Sequence, residues 1–289
     1  MKKVKLFLEM IRFEHTVFAL PFAYMGALLG GVADLGRLPR WEEIGWITLA
    51  MAGARSAAMG LNRLIDRHID AKNPRTANRA IPSGRLGVRE TAAFVAVSFA
   101  LLFLAASQLQ PICVQLLPIA VVLLVGYSYT KRFTWACHLV LGLTIGLAPL
   151  GGWLAVTGEA SLAAFILYVS VACWIAGFDI LYACQDVEFD RREGLYSVPC
   201  RFGVARALWI ARSLHALTAI GFLLLFAVVR LNVWYLVGMA VAYVLLAYQH
   251  WLVRPHDLSR VETASFTLNG VLSVVVFLFT LVDVAVSYG

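Results

Sequence analysis

Charge is scarce in this chain. Asp, Glu, Lys and Arg together make up 14% of its 289 residues, against about 25% in an ordinary soluble domain. That excludes a water-soluble globular protein. The five cysteines, Cys113, Cys137, Cys173, Cys184 and Cys200, are odd in number and lack ligand spacing. They exclude a disulfide framework and are read as buried free thiols. Low-complexity runs are missing. The longest polar stretches, 63–90 and 184–206, are too short for a separate soluble domain. The net charge of +7 therefore has no basic domain to sit on, and no nucleic-acid partner is expected.

What is present is apolar: 61% of residues are hydrophobic and the mean hydropathy is +0.79. The fold class is all-α, a polytopic membrane protein. Nine apolar spans are expected at 16–33, 44–62, 91–109, 111–129, 137–156, 161–183, 207–229, 232–252 and 264–286. Most reach the roughly 20 residues a bilayer crossing needs. With the N-terminus in the cytoplasm, the N-terminal segment and the loops after spans 2, 4, 6 and 8 hold 19 of the 24 Lys and Arg. That asymmetry fits the positive-inside rule. It predicts an integral protein of a bacterial inner membrane. Met1-Lys-Lys-Val-Lys-Leu-Phe-Leu-Glu9 reads as a basic amphipathic lead-in on the cytoplasmic surface rather than a cleavable signal.

Residues 1–289 read as one transmembrane domain with a weak internal repeat. Each long polar stretch starts with an Asp pair and continues to an aliphatic-Pro step and a Gly-Val: Ile81-Pro82 with Gly87-Val88, and Val198-Pro199 with Gly203-Val204. Spans 2–3 and 6–7 are thus related units, with both Asp-motif loops on the cytoplasmic face. A duplicated bundle would bring the pairs together across a central cavity.

The two pairs are the chemically informative feature, because carboxylates in or beside a bilayer are costly and usually mark a site. Asn62, Asp66 and Asp70 recur every fourth residue, as do Tyr182, Asp186 and Asp190, which predicts one helical face for each set. Arg55 and Asp179 extend the two stripes, either as structural partners or as part of the site. Gln185 flanks Asp186. Glu188 and Arg191 fall off the stripe and are read as solvated. Carboxylate and amide oxygens suit Mg²⁺, which bridges one or two carboxylates to substrate phosphates. Zinc would want nitrogen or sulfur, and helical spacing turns His68 and Cys184 away. Phosphate also needs cations. Arg79, Lys131 and Arg132 are the best placed of the loop bases.

Asn62-x3-Asp66-x3-Asp70, Arg75-Thr-Ala-Asn-Arg79-x-Ile-Pro-Ser-Gly84, Tyr129-x-Lys131-Arg132 and Asp179-x2-Tyr182-x2-Gln185-Asp186-x3-Asp190 occur in this order. Together they resemble the UbiA superfamily of intramembrane aromatic prenyltransferases over nearly the whole chain, and most closely its 4-hydroxybenzoate polyprenyltransferases. The resemblance implies that Asp66, Asp70, Asp186, Asp190 and Asn62 hold Mg²⁺ on a polyprenyl diphosphate. It implies that Arg79, Lys131 and Arg132 neutralise the departing diphosphate, and that Tyr182 and Gln185 belong to the substrate site. The allylic cation is then attacked by the ring of an aromatic acid, while the prenyl tail lies toward lipid.

One position departs from the pattern. Many relatives carry a Lys before a Ser-Thr after the second motif; here Tyr196 stands there, in Gly194-Leu-Tyr-Ser-Val-Pro199. An acceptor carboxylate needs a cation, and Arg12 and Arg55 are the candidates. Two acceptors share these motifs: 4-hydroxybenzoate, leading to ubiquinone, and 1,4-dihydroxy-6-naphthoate, leading to menaquinone. A reading from another class is a cation-coupled transporter, with Pro118 and Pro149-Leu-Gly-Gly152 breaking helices around an ion site. The clustering of Asp pairs at one face speaks against it.

Overall fold

The computed structural model describes residues 2–11 and 13–288. Among these residues there is no β-strand, and nine helices have 20 residues or more. They are α2 (Phe13–Leu35), α3 (Trp41–Ile65), α5 (Val88–Ser107), α6 (Pro111–Thr130), α7 (Cys137–Thr157), α8 (Leu162–Ala183), α11 (Val204–Val229), α12 (Val233–Leu252) and α13 (Leu268–Tyr288). Four short helices sit before or between them: α1 (Lys2–Met10), α4 (Arg67–Lys72), α9 (Val187–Arg192) and α10 (Val198–Phe202). The nine long helices fall on the nine expected spans. Seven membrane-length apolar helices are present among the described residues. The described apolar stretch of α2, Leu20–Leu35, is shorter, and α3 carries Glu42, Glu43, Arg55 and Arg63.

Helices α2, α7, α8, α11, α12 and α13 pack as successive neighbours, with α13 returning to α2. Helices α3, α5 and α6 form a flank against α2 and α7. The core inside the ring is aromatic and aliphatic, with Phe22, Met25, Trp153, Trp174, Phe222 and Tyr235 buried together. Small residues let the helices meet closely, as membrane packing requires. A Cβ at Gly26 would overlap the Pro149 carbonyl, and one at Gly152 the Ala23 carbonyl. Pro118 and Pro149 lie inside unbroken α6 and α7. The breaks expected at these prolines for a transporter are therefore not formed.

Buried charges at the end remote from the Asp motifs are matched locally. Glu43 accepts hydrogen bonds from Arg37 at 2.8 and 3.0 Å and from the Arg40 side chain at 2.9 and 3.1 Å. Asp283 accepts the backbone N–H groups of Asn232 and Tyr235, closing the start of α12. Such pairs satisfy groups that would otherwise be costly to bury. All five thiols are free, as expected, but only Cys184 is fully buried and the other four are partly exposed.

Candidate active site

The spacing of the Asp motifs predicts one unbroken helix through each. Both helices instead break at the first Asp. Helix α3 ends at Ile65 and α4 resumes at Arg67, leaving Asp66 at φ −91°, ψ 2°. Helix α8 ends at Ala183, a 3₁₀ turn covers Cys184–Asp186, and α9 starts after Asp186 at φ −102°, ψ 4°. Both Asp residues occupy the sparsely populated bridge region, where many active-site residues sit. The first break is held from outside: Arg132 donates to the Ile65 carbonyl at 3.0 Å and to Asp66 at 2.9 Å. Asp66 still bonds back to the Asn62 carbonyl, and Asp70 to that of Asp66. The four-residue register therefore survives the break, and both carboxylates face the same way.

They face a cavity of about 390 Å³ at one end of the bundle. Its wall includes Asn62, Asp66, Asp70, Asp186 and Asp190, together with Arg55, Arg75, Arg79, Lys131, Tyr182 and Tyr196. Three of the four carboxylates are matched to cations. Asp66 takes Lys131 at 2.6 Å, with Asn62 donating at 3.1 Å. Asp70 receives one Arg79 nitrogen at 2.8 Å on both oxygens. Asp186 is gripped by Arg75 at 2.6 and 3.0 Å. Asp190 lines the same cavity with no such partner. Opposed burial and ion pairing act on Arg75: burial disfavours its charge, but Asp186 and Tyr182 outweigh that and raise its pKa.

Two expected site residues are placed elsewhere. Arg132 does not line the cavity; it is spent on Ile65, Asp66 and the Ser128 carbonyl. Gln185 also lies off the wall and donates to the Tyr182 carbonyl at 2.9 Å. Arg12 lies outside the described residues. In turn, the sequence offered Arg75 only as one of several loop bases and did not single it out, and it did not point to Asn73 at all. The Asn73 side chain accepts from the Arg75 backbone at 2.9 Å and donates to Asp186 at 3.3 Å. The Asn73-Pro74 turn signature was the available signal, since Asn bonds to backbone two residues on. Arg75 also donates to the Tyr182 hydroxyl at 2.7 Å. Asp179 pairs with His138 at 2.7 Å, and His138 accepts the Val198 N–H at 3.2 Å. That triad ties α7, α8 and the 197–198 segment together.

The donor set fits Mg²⁺ in kind. The four motif carboxylates and the Asn62 amide face one cavity, all hard oxygen ligands. Among the described residues, no three of these acids converge into a ready-made cluster. Mg²⁺ does not need one, because it takes one or two protein carboxylates plus phosphate oxygens and water.

A second cavity of about 550 Å³ adjoins the first between α3, α5, α6 and α7. The two share Arg55, Met59, Tyr127, Leu141, Ile145 and Ala148. Past Arg55 the wall is apolar, built from residues such as Met51, Leu102, Leu116, Leu124 and Leu150. Arg55 stands at the junction, and its buried Nε has no hydrogen-bond partner.

A sequence model of the UbiA prenyltransferase family matches residues 19–271. The 4-hydroxybenzoate octaprenyltransferase of Aliivibrio fischeri (strain MJ11) is 28% identical over 257 residues, 89% of each chain. The mitochondrial 4-hydroxybenzoate polyprenyltransferase of Schizosaccharomyces pombe is 36% identical over 152 residues, 52% of this chain and 42% of its own length. Among solved structures, the apo form of a UbiA homolog from Aeropyrum pernix K1 superimposes with TM-score 0.84 at 31% identity, covering 93% of this chain and 98% of that one. A UbiA homolog from Archaeoglobus fulgidus, bound to GPP and Mg²⁺, shares the fold with TM-score 0.76 at 20% identity, covering 97% and 99%. Two broken Asp helices around one cavity, in a fold and sequence of this kind, make the chain a member of the UbiA prenyltransferase family.

Proposed function

We propose that this prenyltransferase moves a polyprenyl group from its diphosphate to the ring of 4-hydroxybenzoate, a step of ubiquinone biosynthesis. The observation that carries the reading is the junction of two unlike cavities. One is walled by the four motif Asp, by Asp179 and by Arg75, Arg79 and Lys131, and the other is apolar, with Arg55 between them. A diphosphate suits the first and a polyprenyl tail the second, so the allylic carbon falls near the junction. The Archaeoglobus homolog bound to GPP and Mg²⁺ supports the same assignment.

Asp66, Asp70, Asp186, Asp190 and Asn62 would hold Mg²⁺, which when bound neutralises charge on the diphosphate. Arg75, Arg79 and Lys131 exchange their carboxylate partners for phosphate oxygens and stabilise the leaving group as the allylic C–O bond breaks. Phe178, Tyr182 and Phe266, in edge-on contact along the wall, shield the cation from water. The acceptor carboxylate pairs with Arg55, which the structure leaves without a carboxylate partner. The ring then attacks, and its proton is lost. The chain would cross the inner membrane nine times with the Asp-motif end in the cytoplasm, a topology that the basic loops support.

Product mass spectrometry tests the reading. Membranes receive Mg²⁺, a polyprenyl diphosphate and either 4-hydroxybenzoate or 1,4-dihydroxy-6-naphthoate. A prenylated benzoate, lost on adding EDTA, is the expected result. A prenylated naphthoate alone would move the enzyme to menaquinone synthesis, and no product from folded protein would overturn the acceptor class.

A further inference from the structure

The N-terminal helix α1 lies outside the bundle, yet its apolar stripe ends beneath the Arg79 loop. Met10 and Ile11 join Ala80, Ile81 and Leu86 in one buried cluster, with the half-buried Leu6 and Phe7 packed against it. Phe7 stacks on Phe94 at 4.8 Å between ring centres. Lys3 pairs with Glu90 at 2.6 Å, and Glu90 accepts the Gly87 N–H at 3.2 Å where the loop enters α5. The loop above is a stiff knot of turns. Ser83 donates twice to the Arg79 carbonyl, at 3.0 and 2.7 Å, and Leu86 donates to that of Ala80 at 2.9 Å. Arg79 and Ile81 stand two residues apart within these bonded turns, so a shift of Ile81 is transmitted to Arg79 over a short, hydrogen-bonded path.

We propose that α1 is a positioning element of the diphosphate site, with Phe7, through its stack on Phe94 and the cluster it shares with Ile81, helping to set where the Arg79 guanidinium stands. This rests on Arg79 being a diphosphate ligand, as read above. Phe7 itself touches no reacting group. Its role is to hold a cation of the site from the membrane surface, where a displaced donor group loses most of its contribution.

The test uses the full chain in lipid nanodiscs and the affinity for a non-transferable prenyl thiolodiphosphate with Mg²⁺. Phe7→Ala should weaken binding by about tenfold, roughly 1.4 kcal/mol. Phe7→Leu should restore most of it, and the KM for the aromatic acid should not move. Ile81→Val, milder and on the loop side, should weaken binding in the same direction. In an Arg79→Gln background, Phe7→Ala should add nothing, because both changes act through one group. Unchanged affinity in Phe7→Ala, or an equal loss with and without Arg79, would overturn the role of α1 while leaving the site reading intact. Arg79→Gln that binds the analogue as tightly as the parent would remove Arg79 from the site, and the proposal with it.

Discussion

Arg75 and Asp186 lie 111 positions apart in sequence and meet through two parallel contacts, Nε to Oδ1 at 3.0 Å and Nη2 to Oδ2 at 2.6 Å. The loop of the first Asp motif thereby closes on the carboxylate of the second. A fork-on-fork pair of this geometry is specific to Arg, because Lys offers a point charge on a flexible stem. Arg75→Lys is expected to raise the KM for polyprenyl diphosphate about tenfold, roughly 1.4 kcal/mol. The KM for the acid should stay where it is. Steady-state kinetics with each substrate varied in turn reads both values.

Asp66→Asn and Asp186→Asn remove one carboxylate from each motif at nearly unchanged volume. Each should lower turnover by at least ~100-fold, the scale on which loss of one charge-stabilising group in a preorganised site is felt. Asp66 also anchors Lys131 and Arg132, so its variant should melt somewhat lower than the parent. Both should still insert and give monodisperse protein. Full activity in either variant would refute the placing of the metal and the diphosphate.

Arg55 supplies a test in which function and stability move in opposite directions. Its Nε is buried without a hydrogen-bond partner, and a buried cationic group left unpaired is costly to the folded state. Arg55→Leu should therefore leave the thermal midpoint unchanged or raise it. The KM for 4-hydroxybenzoate should rise at least ~10-fold, as loss of a charged hydrogen bond worth about 1.5–3 kcal/mol implies. Affinity for the prenyl thiolodiphosphate should be retained.

Gly151 borders the apolar chamber, and an added Cβ there meets no atom within 4 Å. Gly151→Phe should fit without strain on the helix and fill part of the chamber. Long-chain donors should then lose most of their turnover while short ones keep theirs. Assaying donors of increasing length against the parent checks this, and a uniform loss across lengths would place the tail elsewhere.

Much of the architecture was legible because membrane helices are long and apolar, so hydropathy marks them to within a few residues. The site was legible in part for the same reason. Carboxylates and cations stand out against an apolar background, and Asp66, Asp70, Asp186, Asp190, Asn62, Arg79, Lys131, Tyr182 and Arg55 all lie on one wall. The helix breaks at Asp66 and Asp186 were hidden. Two helical pieces that keep the four-residue register look like one helix to any periodic reading. Lys131 and Arg132 are neighbours in one turn, and only the packing of α6 against the α3 break turns one to the cavity and the other to the Ile65 carbonyl. Arg75 was not singled out because its partners lie on another helix, and no local pattern encodes a contact of that range.

The breaks at Asp66 and Asp186 also separate two mechanical regimes. Beyond them, α4, α9 and the loops are short pieces joined by ion pairs such as Lys72 with Glu193 at 2.6 Å. Behind them, α3 and α8 are clamped by the close contacts of the bundle. Trading carboxylate partners for a diphosphate then asks only for side-chain and loop rearrangement on one side of the hinge points. On the proposed reading, the spanning helices would need neither to tilt nor to slide during turnover, which would insulate the chemistry from the thickness of the surrounding bilayer.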